Sequence, residues 1–449
     1  MRVLVIGLDC VPPSLVFDRW AEHLPHLTAL RARALWGTLR SCLPPITVPA
    51  WTCMVSGRDP GELGIYGFRN RADGYALRVA TSHDVRCKRV WDRLGESGYS
   101  VAPLFVPLTS PPTPVRGRMV SCFLTPNVQA PYTFPRAWKE ELETDLGPYR
   151  MDVEGFRKGE LDRIVDDLYT MTRQHFAMAR HTWTKHRPDF LMMVEMGPDR
   201  LHHALWHHLD PKHRRYVPGN RWEEEARAYY AALDAEVGEL LSVVDDDTVV
   251  IVASDHGAQS MEGAIAINEW LIQEGWLTLR TTPTEPTPLR EVVDWSKTRV
   301  WGEGGYYARL FLNVEGREPE GVVPPGDVDT IRNALTDALE EWGPAGTQVH
   351  RPEDVYKSVR GNPPDLMAVF GDLTHRSVGT VGHGQVLLDT DGEDGCNHAW
   401  DGIFMMAGPG VDAKGPVSAE IYDVGRTILG LFDVPAGESW RGRDWSKTT

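Results

Sequence analysis

The sequence predicts an α/β protein with a mostly parallel sheet covered by helices. Residues 3–8, 189–195 and 248–254 are near-continuous apolar runs, the pattern of strands buried on both faces. The long amphipathic stretches 160–186 and 221–244 fall around them at helix length. A third observation points toward chemistry. Acids and imidazoles follow these runs: Asp9 after the first, Asp199 and His203 after the second, Asp255 and His256 after the third. Ligands of open α/β sheets gather at the C-terminal ends of the strands.

A chain of 449 residues exceeds one small domain, so a large core with insertions is expected. Residues 1–270, rejoined by 385–449, are read as the core. Residues 271–384 change character, with Pro283, Pro286 and Pro288 and then a glycine-rich run at 302–305. They are read as a smaller inserted α+β module whose helix spans 327–341. The net charge of −16 argues against nucleic-acid and anionic-membrane partners. An anionic substrate then needs local help, which bound metal cations supply. No apolar run reaches the 18 residues or so of a membrane span, and the opening nine residues are too short for a signal peptide. Six cysteines without a C-x-x-C pair suggest a reducing, cytoplasmic setting.

In chain order, residues 24–34 read as a helix and 37–41 as a strand. The strand leads into Leu43-Pro44-Pro45-Ile46-Thr47-Val48-Pro49, where Pro49 suits a helix start and Gly57 a helix stop. Thr47 then stands at the helix mouth, where unpaired N–H groups and the dipole favour an anion. A hydroxyl there serves either as a helix N-cap or as a nucleophile toward phosphorus. Residues 58–70 read as a loop in which Arg69 and Asn70 are candidate phosphate contacts. Residues 90–98 read as a helix, 100–106 as a strand, and the proline- and threonine-rich stretch 107–135 as a loop shaping the pocket.

Three further spacings carry chemistry. Asp199 and His203 stand i, i+4 and share a helix face, where a carboxylate and an imidazole grip one divalent ion. The neighbouring His202, His207 and His208 are read as solvent-facing. Asp255-His256-Gly257 sets two metal-type ligands beside a residue that allows close approach. His398 precedes an apolar strand and is placed to point back into the same rim.

This ordered set resembles the alkaline phosphatase superfamily in its type I phosphodiesterase/nucleotide pyrophosphatase branch, and more closely its predicted phosphohydrolase/phosphomutase proteins. It comprises Asp9, Thr47 in T-x-P, Asp199-x-x-x-His203, Asp255-His256-Gly257 and His398. The resemblance implies an alkaline-phosphatase-like fold and two divalent ions, Zn²⁺ first with Mn²⁺ or Fe as alternatives. Asp9, Thr47, Asp255 and His256 would surround one ion, with Thr47 as nucleophile. Asp199, His203 and His398 would hold the other. The implied reaction is hydrolysis of a small organic phosphoester through a phospho-threonine intermediate. The sequence departs from the nucleotide pyrophosphatases at Phe68, where they carry a phosphate-holding asparagine. Thr47-Val48-Pro49-Ala50-Trp51 also lacks the arginine of the sulfatases. Trp51, Tyr66 and Phe68, with Arg69 the only nearby cation, suggest a diester over a monoester. A monoesterase or phosphomutase-type transferase and a non-catalytic phosphate-ligand binding protein are the alternatives.

Overall fold

The computed structural model describes residues 1–389 and 394–447. The apolar runs form the middle of a nine-stranded sheet, counted over those residues. Its order is Lys414–Glu420, Leu35–Arg40, Asp401–Ala407, Thr248–Ala253, Arg2–Leu8, Phe190–Glu195, Val101–Leu104, Met119–Val120 and Thr133–Phe134. Arg2–Leu8 pairs in parallel with both neighbours, Leu8 opposite Glu195 and Gly7 opposite Ala253. The three central strands therefore end at one rim. Every residue of Phe190–Glu195 and Thr248–Ala253 is buried, as their unbroken apolar sequence requires.

Asp401–Ala407 is the reversed strand of this region, antiparallel to Thr248–Ala253 and to Leu35–Arg40. It enters the sheet where its neighbours leave, so the residues just before it reach the same rim. The long helices Leu161–His181 and Arg221–Leu241 pack against each other and the core. The first buries Ile164, Val165, Leu168, Met171, Thr172, His175 and Phe176, one stripe at helical spacing.

Two glycines let the site-forming helix Thr47–Ser56 sit where it does. A Cβ at Gly7 would lie 2.6 Å from the Trp51 ring. Gly57 ends the helix in the left-handed region at φ +63°, and a Cβ there would lie 2.5 Å from the Trp440 ring. A second buried cluster, running from Ile265 to Val386, lies around an antiparallel sheet ordered Val300–Glu303, Ala308–Leu312, Leu366–Val369 and Gln348–His350. The helix Val328–Trp342 packs on it.

Three segments depart from the sequence reading. Residues 107–135 are not all loop, because Met119–Val120 and Thr133–Phe134 extend the main sheet. Two-residue strands carry no readable period. Within 58–70 the helix Pro60–Leu63 is closed by a capping box, Glu62 N–H donating to Asp59 at 2.7 Å and Asp59 N–H to Glu62 at 3.2 Å. The stretch 160–186 continues past its α-helix as a π-helical turn, Thr182–His186.

Gly57→Val is expected to destabilise the protein by about 2 kcal/mol or more, since it forces a β-branched residue into left-handed backbone against an indole ring. The urea midpoint measures this. An unchanged midpoint counts against the packing described.

Candidate active site

Seven residues expected at one rim do converge there. Asp9 follows Leu8, and Asp255 and His256 follow the next strand over. Their ligand atoms cluster within 4.8 Å of one another. Asp199 and His203 lie in the first turns of the helix Gly197–Leu209, and their ligand atoms cluster with that of His398. The two groups abut, with the His256 and His398 rings stacked at 3.8 Å between centroids. All of these residues are buried.

Each imidazole is anchored from behind. His256 Nδ1 donates to the Gly257 carbonyl at 3.1 Å and His398 Nδ1 to the Pro45 carbonyl at 2.7 Å. Only a protonated nitrogen donates to a carbonyl, so both present the Nε2 lone pair to the site. His203 Nδ1 donates to Asp394 at 3.0 Å. The indole N–H of Trp51 donates to Asp9 Oδ2 at 2.6 Å. Each of these anchors leaves a ligand atom facing inward.

Several of those inward atoms have no partner. Asp9 Oδ1, Asp255 Oδ2, Asp199 Oδ1 and His398 Nε2 are buried and find no hydrogen bond among the described residues. His256 Nε2 lies 3.2 Å from Asp255 Oδ2 and 3.7 Å from Asp9 Oδ1. Asp199 Oδ1 lies 3.5 Å from His203 Nε2 and 3.7 Å from His398 Nε2. Buried polar atoms are ordinarily satisfied. A set of orphaned carboxylate oxygens and imidazole lone pairs in two adjacent clusters suits two divalent cations.

The electrostatics agree. Burial pushes Asp9 and Asp255 well above the usual carboxylate range, and the other acids of the site add to it. Burial lowers His256 to about 4 and His398 well below its ordinary value, keeping both rings neutral. Asp199 is held well below the carboxylate range; burial opposes this, but His203 and Arg200 outweigh it.

Thr47 is 1% exposed and is the first residue of the helix Thr47–Ser56. It is not the cap. Ile46 occupies that position, and no side chain caps the helix. The Thr47 hydroxyl instead lies 3.4 Å from His256 Nε2. In front of it opens a cavity of about 540 Å³ whose lining includes Phe68, Phe123, Phe156 and Tyr306.

Arg69 lines this cavity with Thr47, but the Asn70 amide is engaged in its own loop, accepting from Tyr66 N–H at 2.7 Å and donating to the Gly67 carbonyl at 3.0 Å. Nor is Arg69 the only nearby cation. Arg157, Lys158, Arg200 and Arg376 line the same cavity. Of the three rings expected there only Phe68 lines it. Trp51 is spent on Asp9, and the Tyr66 hydroxyl donates to the Arg360 carbonyl. The neighbouring histidines are not all solvent-facing either: His202 is buried against the Tyr230 hydroxyl at 3.0 Å.

Sequence reasoning missed Asp394, Arg157, Lys158, Arg376 and Tyr306. Asp394 stands four residues before His398, a spacing with no standing meaning, and the cations come from distant segments. Arg200, adjacent to Asp199, was the one with a local signal.

A family model for type I phosphodiesterase / nucleotide pyrophosphatase matches residues 3–396. The chain belongs to this family. It is thereby a phosphohydrolase of the alkaline phosphatase superfamily, a group of metalloenzymes. No curated protein sequence matches it significantly. Among solved structures, murine ectonucleotide pyrophosphatase / phosphodiesterase 5 is similar at 14% identity and TM-score 0.61, covering 100% of this chain and 99% of that one. An inactive threonine-to-alanine variant of that murine protein, in complex with AMP, is similar at 14% identity and TM-score 0.60, covering 99% and 98%. Phosphonoacetate hydrolase from Sinorhizobium meliloti 1021, in complex with phosphonoformate, is similar at 15% identity and TM-score 0.63, covering 97% and 96%. These likenesses bear on the fold, and the family fits the cluster of metal-type ligands at the rim. No helix among the described residues is long and apolar enough to cross a membrane.

Asp394→Asn is expected to weaken divalent-metal affinity roughly 10–100-fold, since it removes the negative charge and one of the two acceptor oxygens that face His203 Nδ1. Competition with a chromophoric chelator measures this. Adding Zn²⁺ or Mn²⁺ to metal-stripped wild-type protein is expected to raise its melting temperature. A flat melting curve across metal concentrations would show that the two clusters bind no ion.

Proposed function

We propose that the chain is a two-metal phosphoester hydrolase in which the Thr47 hydroxyl attacks phosphorus. The orphaned inward-facing atoms carry this reading. Asp9, Asp255, His256 and Thr47 would hold one ion, and Asp199, His203 and His398 the other. Carboxylate and imidazole donors suit Zn²⁺ first, with Mn²⁺ or Fe as alternatives. Two such ions supply positive charge that acidifies a bound hydroxyl and draws electrons from phosphoryl oxygens.

The protein's own groups supply the rest. The helix beginning at Thr47 aims its unpaired N–H groups and dipole at the incoming phosphoryl group. In-line attack forms a phospho-threonine on Oγ1 and expels the alcohol; water then attacks phosphorus and releases Thr47. Asp9, held by the Trp51 indole, and His256, held by the Gly257 carbonyl, fix the surroundings of the nucleophile. The inactive threonine-to-alanine form of the murine neighbour supports giving a threonine this role.

The cations set the substrate's charge. Arg200 is committed to Asp199 and, bidentately, to Asp152 at 2.6 and 2.9 Å. Arg157 donates to Asp394 at 2.9 Å and to the Tyr306 hydroxyl at 2.6 Å. Arg69 and Lys158 add charge at the cavity wall. Extra cationic contacts suit the nearly doubly charged phosphoryl group of a monoester. With Arg157 and Arg200 already paired to carboxylates, Arg69 and Lys158 are the added charge, which keeps the diester expected from the sequence first and the monoester as its alternative. The diester reading keeps two supports, family membership and the Phe68, Phe123 and Phe156 rings, which suit an organic group. Tyr306 and Arg376 reach the cavity from residues 271–384, which supports reading that segment as a module over the substrate. All six cysteines are free thiols, consistent with a cytoplasmic setting.

Thr47→Ala is expected to lower kcat roughly 10³-fold or more while leaving metal content and folding intact. Near-normal turnover would remove Thr47 from the chemistry. The ester preference is read from kcat/KM for p-nitrophenyl phosphate and bis-p-nitrophenyl phosphate on one metal-loaded preparation. The diester is expected ahead, with Arg69→Ala costing the monoester more than the diester. A monoester lead of about tenfold or more would overturn the diester reading and leave Arg69 as the leading extra phosphate contact.

A further inference from the structure

A second group of metal-type ligands lies outside the cavity. The imidazoles of His181 and His186 both direct Nε2 at one oxygen of Glu141, at 2.9 and 2.8 Å. The three ligand atoms lie within 4.8 Å of one another. Asp145, one helical turn beyond Glu141, places Oδ2 3.8 Å from His181 Nε2.

The backbone is shaped for this convergence. In an α-helix residues five apart point about 140° away from each other. Here the helix Leu161–His181 passes into the π-helical turn Thr182–His186, and the widened turn swings His186 onto the side of His181. Glu141 is oriented by the Trp138 indole N–H at 3.2 Å. Its carboxyl is lowered to about 2; burial opposes this, but the two imidazoles and Lys185 outweigh it. It is therefore a carboxylate at any working pH.

We infer that Glu141, His181 and His186, with Asp145 as fourth ligand, form a transition-metal site that takes Zn²⁺ or an ion of like preference. Tetrahedral ligands at zinc distances stand about 3.3 Å apart, so the Glu141–histidine pairs open and Asp145 closes by about half an ångström, while the Nε2 protons now given to Glu141 pass to Nδ1 or to solvent. A competing cation is Lys185, whose ammonium lies 3.3 Å from both Glu141 and Asp145, and Arg118, over the Trp138 ring, also acts on His186. Lys185 is 48% exposed and has room to swing into solvent. The site shares no residue with the cavity. It joins the helix Trp138–Leu146 to the end of the next long helix. The chain between them carries Phe156, Arg157 and Lys158 of the cavity wall.

The test is zinc content per chain after equilibration at micromolar free Zn²⁺, with melting temperature as the second readout. His186→Ala and His181→Ala are expected to bind one Zn²⁺ fewer than wild type and to show a smaller zinc-dependent rise in melting temperature. Their kcat/KM toward p-nitrophenyl phosphate should stay within about twofold of wild type. Equal zinc in wild type and variants overturns the inference. So does zinc loss accompanied by loss of activity, because the missing ion then belongs to the cavity. Lys185→Ala keeps every ligand and removes the competing charge, so the test survives if a histidine variant fails to fold. It is expected to bind zinc roughly threefold more tightly. Unchanged or weaker binding in that variant overturns the inference.

Discussion

The arrangement depends on one electrostatic constraint. Asp9, Asp199 and Asp255 are packed with three imidazoles, all buried, at one rim, and four of the inward atoms have no partner among the described residues. Moving an ionised carboxylate out of water costs several kcal/mol unless a counter-charge replaces the lost hydration. Arg200 answers part of this for Asp199 through a direct contact. Asp9 and Asp255 contact no such group beyond neutral His256, and both are pushed strongly toward the protonated form. Cations held between the clusters relieve that penalty. The fold thus appears as a device for holding a cost that a ligand removes.

Topology makes the clustering inexpensive in chain entropy. Three parallel strands end in register, so Asp9, the Asp199 helix and Asp255 are delivered by backbone that the core already fixes. The reversed strand Asp401–Ala407 adds His398 from the opposite chain direction. Around these ligands stands a layer that touches them from behind: Trp51 on Asp9, Pro45 on His398, Gly257 on His256, Asp394 on His203. Each fixes an orientation, which is what makes ligand geometry reproducible. The chain is acidic overall, yet five cationic side chains line the cavity. That contrast of sign favours an anion at the cavity over the acidic surface at large.

What was legible in the sequence follows from the range of each signal. Apolar runs and helical periods are local, so the central strands and long helices stood out with boundaries close to those observed. The clustered acids and imidazoles were legible because most sit at a strand or helix end, where position along the chain predicts position in space, and His203 shares a helix face with Asp199. The cavity wall was not. Arg157, Arg376 and Tyr306 lie far apart in the chain, and only the folded path brings them together. The rings misled for the same reason. Trp51 lies on the same helix as Thr47, yet its indole turns inward to Asp9, where Gly7 leaves room for it. Proximity in sequence to Thr47 says nothing about which side of the helix faces the cavity.

The placement of Thr47 turns on the helix behind it. All ten residues of Thr47–Ser56 are buried, so the helix cannot tilt without disturbing the core. One end is pinned where Gly57 fits under Trp440, and the middle where Trp51 reaches Asp9. A side chain capping the helix would have consumed some of the N–H groups at its mouth, and Ile46 has none to offer. Pro49 has no N–H and the Ala50 N–H is bonded to the Ile46 carbonyl at 2.9 Å, so the first N–H groups of the helix, on Thr47 and Val48, are the ones placed to favour an anion. The same logic of deliberate incompleteness governs the orphaned ligand atoms a few ångströms away. A cluster of cation-type ligands and a helix mouth suited to an anion meet at one threonine, and this meeting is what supports the proposed phosphoester chemistry.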